Sequence, residues 1–259
     1  MKSKRLGSEI IRLALPATIE NIFQTLVGFF DTLLIAQLGL VAVTAVGLAN
    51  TILNVYLAVF LAIGVGGTAL IARSLGAGQK EKARQYARQT QELSIAGGIV
   101  FGFISIFFGR WMLQAMGASG SALEDAQVFF YWVGGFSLLH ASMTSLGTIL
   151  RATGDTVTPM KVGIITNVTN VLLDYFLIFG FGSWDGLGIL STTIRTIFAR
   201  LLGCYLLTRE VQKSELALSF QKNRLRKDYQ ELVHLTIPAA LERLVMRMGQ
   251  VIYFSLIVA

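Results

Sequence analysis

Long apolar runs separated by short polar segments divide this chain. They fall at about 10–35, 47–72, 93–115, 127–150, 158–181, 187–208 and 232–259. Each is long enough to cross a hydrocarbon layer of about 30 Å as a helix, which takes about 20 residues. None alternates with the period of a strand, and most exceed the length of a buried strand. The pattern therefore predicts seven membrane-spanning helices. Two of the runs carry clustered small residues, IGVGGTAL (63–70) and AGGIVFGF (96–103). Such residues let helices approach closely in a bilayer. The fifth span has its own start signal, with Thr158 as cap and Pro159 in the first turn.

Composition sharpens this reading. Only 14% of the 259 residues are charged and 54% are hydrophobic, where a soluble domain carries about 25% charged residues. Mean hydropathy is +0.63. One cysteine, Cys204, excludes an internal disulfide and a cysteine-based metal cluster, and two histidines leave little for a His-rich site. A soluble enzyme is a poor fit, and no cofactor or structural metal is expected. The fragments GVGG and GAGQ lack the context of a phosphate loop.

The net charge of +7 is explained by where it sits. Lys2, Lys4, Arg5 and Arg12 precede the first span, and Arg73, Lys80, Lys82, Arg84 and Arg88 follow the second. Arg151 and Lys161 follow the fourth. Arg209, Lys213, Lys222, Arg224, Arg226 and Lys227 follow the sixth. The alternate connections hold Arg110 and otherwise Glu124, Asp125 and Asp185. This is the positive-inside pattern of a multi-pass protein of the cytoplasmic (inner) membrane with a cytoplasmic N-terminus. Membrane lipid, and not nucleic acid, is the expected partner of these loops. The first apolar run is too long for a secretory signal and contains Glu20 and Asp31, so it reads as a retained helix.

An internal repeat sets the organisation. Residues 9–36 lie over residues 231–258, bringing Glu9, Leu13, Pro16, Ala17 and Glu20 onto Glu231, Leu235, Pro238, Ala239 and Glu242. Residues 1–208 then form a six-helix lobe and 209–230 a basic cytoplasmic linker. Residues 231–259 are the first helix of a second lobe. Transporters built from paired repeats bind substrate at or between the repeats.

Carboxylates inside a span must face protein or water. Glu20, Asp31, Asp174 and Glu242 qualify. Glu20 and Asp31 stand about three turns apart on one face, with Gln24 one turn beyond Glu20. Pro16 can bend that helix. Asn167, Asn170 and Asp174 make a polar stripe at 3,4 spacing, able to hold Na⁺ or, through Asp174, a proton. The other reading of the stripe is an interhelical hydrogen-bond network. Thr192 can add a hydroxyl. Arg195 lies too deep in the sixth span to snorkel, and Asp174 is its expected partner. Arg200 can snorkel toward an interface. His140 reads as a packed histidine.

Three stretches resemble one family: PATIENIFQTLVGFFDTLLIAQLG (16–39), GTALIARSLGAGQKEKARQYA (67–87) and LGTILRATGDTVTPMKVGIITNVTNVLLDYFLIFG (146–180). The chain resembles the bacterial-type multidrug and toxic compound extrusion (MATE) transporters. The resemblance implies an all-α membrane fold, one six-helix lobe of a twelve-helix transporter plus the start of the second lobe. It implies exchange of H⁺ or Na⁺ for amphiphilic, cationic drugs, with no bond made or broken, so no enzyme. Asp31, Asn170, Asp174 and Thr192 then fall on the ion-coupling site, and Gln24 on the cavity wall, where Glu20 and Asn167 are also expected. Two departures stand out: GILST (188–192) replaces a run of smaller residues, and Arg195 modulates the charge where the family has a small or neutral residue. A missing C-terminal lobe or a second copy of the chain would complete the cleft. Two alternatives remain. One is a lipid-linked oligosaccharide flippase, supported by Arg195, Arg243 and Arg247. The other is a non-transporting fragment or assembly subunit.

Overall fold

The structure is a computed structural model that describes residues 2–179, 189–218 and 229–258, the side chains of 2–13, Ala17, 174–179 and 250–258 excepted. Eight helices follow one another: α1 Lys2–Ala36, α2 Leu40–Gly76, α3 Lys80–Ala115, α4 Gly120–Gly135, α5 Ser137–Ala152, α6 Val157–Phe179, α7 Ile189–Lys213 and α8 Gln230–Val258. The expected fourth span is thus two helices, α4 and α5, bent by 47° at Phe136. Among the described residues four helices are long and apolar enough to cross a membrane, or five if the bent pair is one span, where the sequence predicts seven. The chain is a multi-pass helical membrane protein.

Local chemistry accounts for the breaks. Gly78 closes α2 with φ +72°, a left-handed value that favours glycine. The amides of Gly78 and Gln79 turn back to Leu75 and Ser74. At the start of α6, the Thr158 amide donates to Asp155 Oδ1 at 2.9 Å. The capping side chain is therefore Asp155 and not Thr158, while Pro159 keeps its first-turn place. Pro16 lies well inside α1, whose helix begins at Lys2.

Helix α2 is the central element, packing on α3, α4, α5 and α8, while α1, α6 and α7 form the other wall. One apolar core, around Ala45, Tyr56, Phe60, Leu113 and Phe130, joins α2, α3 and α4 at one end. Another, around Ile71, Ala83, Ile149, Leu207 and Leu232, joins α2, α3, α5, α7 and α8 at the other. Outward-facing Phe103, Phe107, Phe108 and Trp111 make an apolar belt on α3.

In lipid, helices gain little from hiding apolar surface and associate through close packing. The two glycine clusters supply that closeness. A Cβ on Gly64 would lie 2.8 Å from Thr148 Oγ1 of α5, and one on Gly67 would lie 2.4 Å from Thr90 Oγ1 of α3. A Cβ on Gly66 would lie 3.0 Å from Thr236 Oγ1 of α8. On α3, a Cβ at Gly98 would come within 2.7 Å of the Leu138 Cα, which is backbone and cannot yield. Gly98→Ala is therefore expected to lose about 1–3 kcal/mol by overpacking. Gly97→Ala, whose Cβ would meet Phe60 Cε1 at 3.7 Å and Ile63 Cδ1 at 4.0 Å, both ordinary contacts, is expected to be tolerated. Thermal unfolding of the two variants in detergent checks this, and equal midpoints would refute it.

The connection after α2, the end of α7 and the start of α8 meet at one end of the bundle. Lys80 Nζ lies 2.7 Å from Glu215 Oε2, and Arg84 Nε donates to the Glu215 carbonyl at 3.0 Å. The hydrogen bond from Lys80, and then its charge, hold the Glu215 carboxyl below the usual carboxylate range. This tie is present above the ordinary carboxylate pKa and is lost as pH falls through the lowered one. Nearby, Tyr86 bonds Glu231 and Tyr229 bonds Glu92 across the α3–α8 contact.

Candidate functional site

A cavity of about 550 Å³ opens among α1, α2, α5, α6 and α7. That is within the usual range for small-molecule sites. Its wall mixes apolar side chains with Glu20, Gln24, Asn167, Asn170, His140, Arg151, Thr196 and Arg200. Three expected cavity residues, Glu20, Gln24 and Asn167, are all present on it.

Glu20 is not a bare carboxylate. Arg151 Nη2 donates to both of its oxygens, at 2.9 and 2.8 Å. Gln24 Nε2 reaches Glu20 Oε1 at 3.5 Å. Glycines flank the pair: a Cβ at Gly147 would meet Arg151 Nη1 at 3.2 Å, and one at Gly163 would meet Glu20 Oε1 at 3.4 Å. The sequence reading had assigned Arg151 to a cytoplasmic loop. It ends α5 with its side chain turned into the bundle, 35% exposed. The signal that could have found it is Glu20 itself, since a carboxylate inside a span calls for a partner.

A second cluster adjoins the cavity. Arg195, 2% exposed, places Nη1 2.5 Å from Asp31 Oδ1 and donates to Asn170 Oδ1. Asn170 belongs to both places, since it also lines the cavity. Asp31 and Asn170 thus come together as expected. The guanidinium between them comes from α7, and it meets α1 as well as α6. Asp174 lies on α6, but its side chain is outside the described residues. Thr192 is buried away from the cavity, and its hydroxyl finds no hydrogen-bond partner among the described residues. One turn on, Thr196 lines the cavity and donates to the Thr192 carbonyl. Which of the two threonines faces inward depends on the rotation of α7, which residue spacing does not fix.

One further expectation is corrected. Arg200 does not reach for an interface: it lines the cavity, and its Nη1 donates to the Val133 carbonyl of α4 at 3.3 Å. His140 also faces the cavity, with its ring 6.2 Å from that of Phe60. Of the acids in the last helix, Glu242 is exposed. Among the described residues no three His, Cys, Asp or Glu side chains cluster as a metal site.

A helical membrane lobe with an internal polar cavity and a buried carboxylate beside it is the architecture of a transporter repeat. The MatE family model matches residues 16–176, and the chain belongs to that family. It is 30% identical to the "Probable multidrug resistance protein NorM" of Thermotoga maritima, over 97% of this chain and 55% of that protein. It is 27% identical to the "FAD transporter" of Shewanella oneidensis, over 98% of this chain and 57% of that protein. The fold matches the bent form of the Vibrio cholerae MATE transporter VcmN with a TM-score of 0.87 at 23% identity, covering 98% of this chain and 57% of the other. The chain spans about half the length of the curated relatives it matches.

Proposed function

We propose that this chain forms the first lobe of a cation-coupled antiporter that exports amphiphilic compounds across the cytoplasmic membrane. The observation that carries the reading is the link through Asn170. One residue touches both a cavity of small-molecule size and the buried Asp31–Arg195 pair. A change of charge at Asp31 is thereby felt at the cavity wall.

In the proposed cycle the cavity accepts substrate from the cytoplasmic side, where the basic connections and the N-terminus lie. After the lobes open outward, H⁺ or Na⁺ arrives at Asp31 and competes with the Arg195 guanidinium. Freed from Asp31, Arg195 pulls on Asn170, and bending of α1 near Pro16 reshapes the wall that carries Glu20 and Gln24. Coupling requires only that ion and substrate prefer different states. Asp174 shares the ion cluster in this reading. Thr192 belongs to the ion cluster in this reading, and Thr196 supplies a hydroxyl to the cavity wall. The second lobe, or a second copy of the chain, closes the cleft. The basic linker 209–230 joins the halves. Substrate is moved unchanged, so no catalytic residue is assigned.

The flippase alternative drew on Arg195 as a pyrophosphate ligand. That guanidinium faces Asp31 and Asn170, which favours the antiporter.

The test is transport by the protein in proteoliposomes under an imposed H⁺ or Na⁺ gradient. Asp31→Asn is expected to reduce gradient-driven efflux of an amphiphilic dye at least ten-fold while the protein remains folded. Unchanged efflux in that variant would sink the coupling role.

A further inference from the structure

Three arginines lie inside the bundle around the cavity, and their partners differ. Arg151 is matched by Glu20 and Arg195 by Asp31. Arg200 meets no carboxylate among the described residues. Its hydrogen bond goes to the Val133 carbonyl at 3.3 Å, which occupies one of five guanidinium donors and supplies no counter-charge. The neighbouring thiol of Cys204, whose Sγ donates to the Leu139 carbonyl at 3.1 Å, is a weak acceptor and supplies no counter-charge. Of the charged side chains on the cavity wall, Glu20 and Arg151 cancel, and the Arg200 charge remains over. A half-buried guanidinium on that wall with a single carbonyl partner leaves donors and a charge that an anion can answer.

We propose that the cavity contains an oxyanion subsite at Arg200, with His140 beside it. The subsite takes the carboxylate or phosphate group of an amphiphile whose apolar part lies along Leu57, Leu61 and Met143. The planar fork of an arginine matches a carboxylate or phosphate by paired hydrogen bonds. The imidazole of His140 adds a donor from α5 on the same wall. Met143 sits against α7, where its sulfur would lie 2.8 Å from a Cβ on Gly203, so the apolar wall begins one turn from Arg200. This charge balance departs from the cationic substrate that the family resemblance implies. The inference rests on reading this cavity as the substrate site.

The experiment compares two probes of equal size and opposite charge, 1-pyrenebutyrate and 1-pyrenebutylamine. Each is titrated against the protein in phosphatidylcholine nanodiscs, with the signal of empty discs subtracted. The acid is expected to bind at least ten-fold more tightly than the amine. Arg200→Gln should weaken the acid at least ten-fold and leave the amine unchanged or tighter, while Arg200→Lys should retain part of the preference. Equal or tighter binding of the amine to the unaltered protein overturns the proposal without any variant. Unchanged affinity for the acid in Arg200→Gln overturns it as well. Discs containing phosphatidylglycerol identify the source: competition with the acid marks a lipid headgroup, and its absence marks a solute, the oxyanion subsite standing in either case. Dye export with an amine preference would remove this inference and leave the antiporter. Acid binding without gradient-driven export would do the reverse.

Discussion

Replacing Arg195 with methionine is expected to lower stability by about 3 kcal/mol, because it strands the Asp31 carboxylate inside the bundle. The estimate sits at the low end for a broken buried pair because the Asp31 side chain is 27% exposed. Replacing both partners, Asp31→Asn with Arg195→Met, should cost much less than the single change, since no uncompensated charge is left. A double-mutant cycle of unfolding free energies reads this directly, and additive effects would show that the pair is not coupled. The same variant carries a second expectation. In the native chain Na⁺ must displace a guanidinium to reach Asp31 and Asn170. In Arg195→Met those oxygens face no built-in cation, so Na⁺, and not choline, should raise the melting temperature of the variant alone. A Na⁺ response of equal size in the native protein would show that Arg195 does not guard the cluster.

The second large effect is expected at Glu20. Glu20→Gln keeps the shape of the side chain but removes the charge that Arg151 answers with two hydrogen bonds. Arg151 is 35% exposed, so solvent offsets part of the loss, and a decrease of about 1–2 kcal/mol in stability follows. The cavity wall then gains one unit of positive charge. Affinity for an anionic probe should rise several-fold and affinity for a cationic one should fall. Arg151→Gln should shift both in the opposite direction. Probe titration with each variant checks the signs, and identical shifts for the two would refute an electrostatic role for the pair.

Much of this was legible in the residues, and what was not has physical reasons. Hydropathy located the long apolar helices, because their length and apolar content answer to bilayer thickness, although four, or five with the bent pair, of the seven expected spans pass that test among the described residues. It did not show the bend at Phe136, because a window that spans α4 and α5 averages over a break one residue long. Polar spacing put Glu20, Gln24 and Asp31 on one face of α1 and Asn167, Asn170 and Asp174 in one stripe of α6, while the cavity itself was implied by the family resemblance. The partners of the arginines did not follow. Asp31 and Arg195 are on α1 and α7, and which acid a guanidinium meets depends on how three helices are rotated about their axes. Arg151 was hidden for another reason: by sequence it is one more positive charge in a basic connection, and only the direction of its side chain makes it part of the cavity.

The contact of α8 with α2 has a mechanical meaning. In the proposed two-lobe reading α8 opens the second half, yet its first turns are seated against α2 and α3. Gly66 admits Thr236 and Leu232, and paired tyrosine–glutamate bonds fasten α3 to Glu231 and Tyr229. When two halves rock against each other, such a helix cannot belong wholly to either. Under the proposed cycle its beginning would travel with the first half, and the shear would be expected within α8 itself.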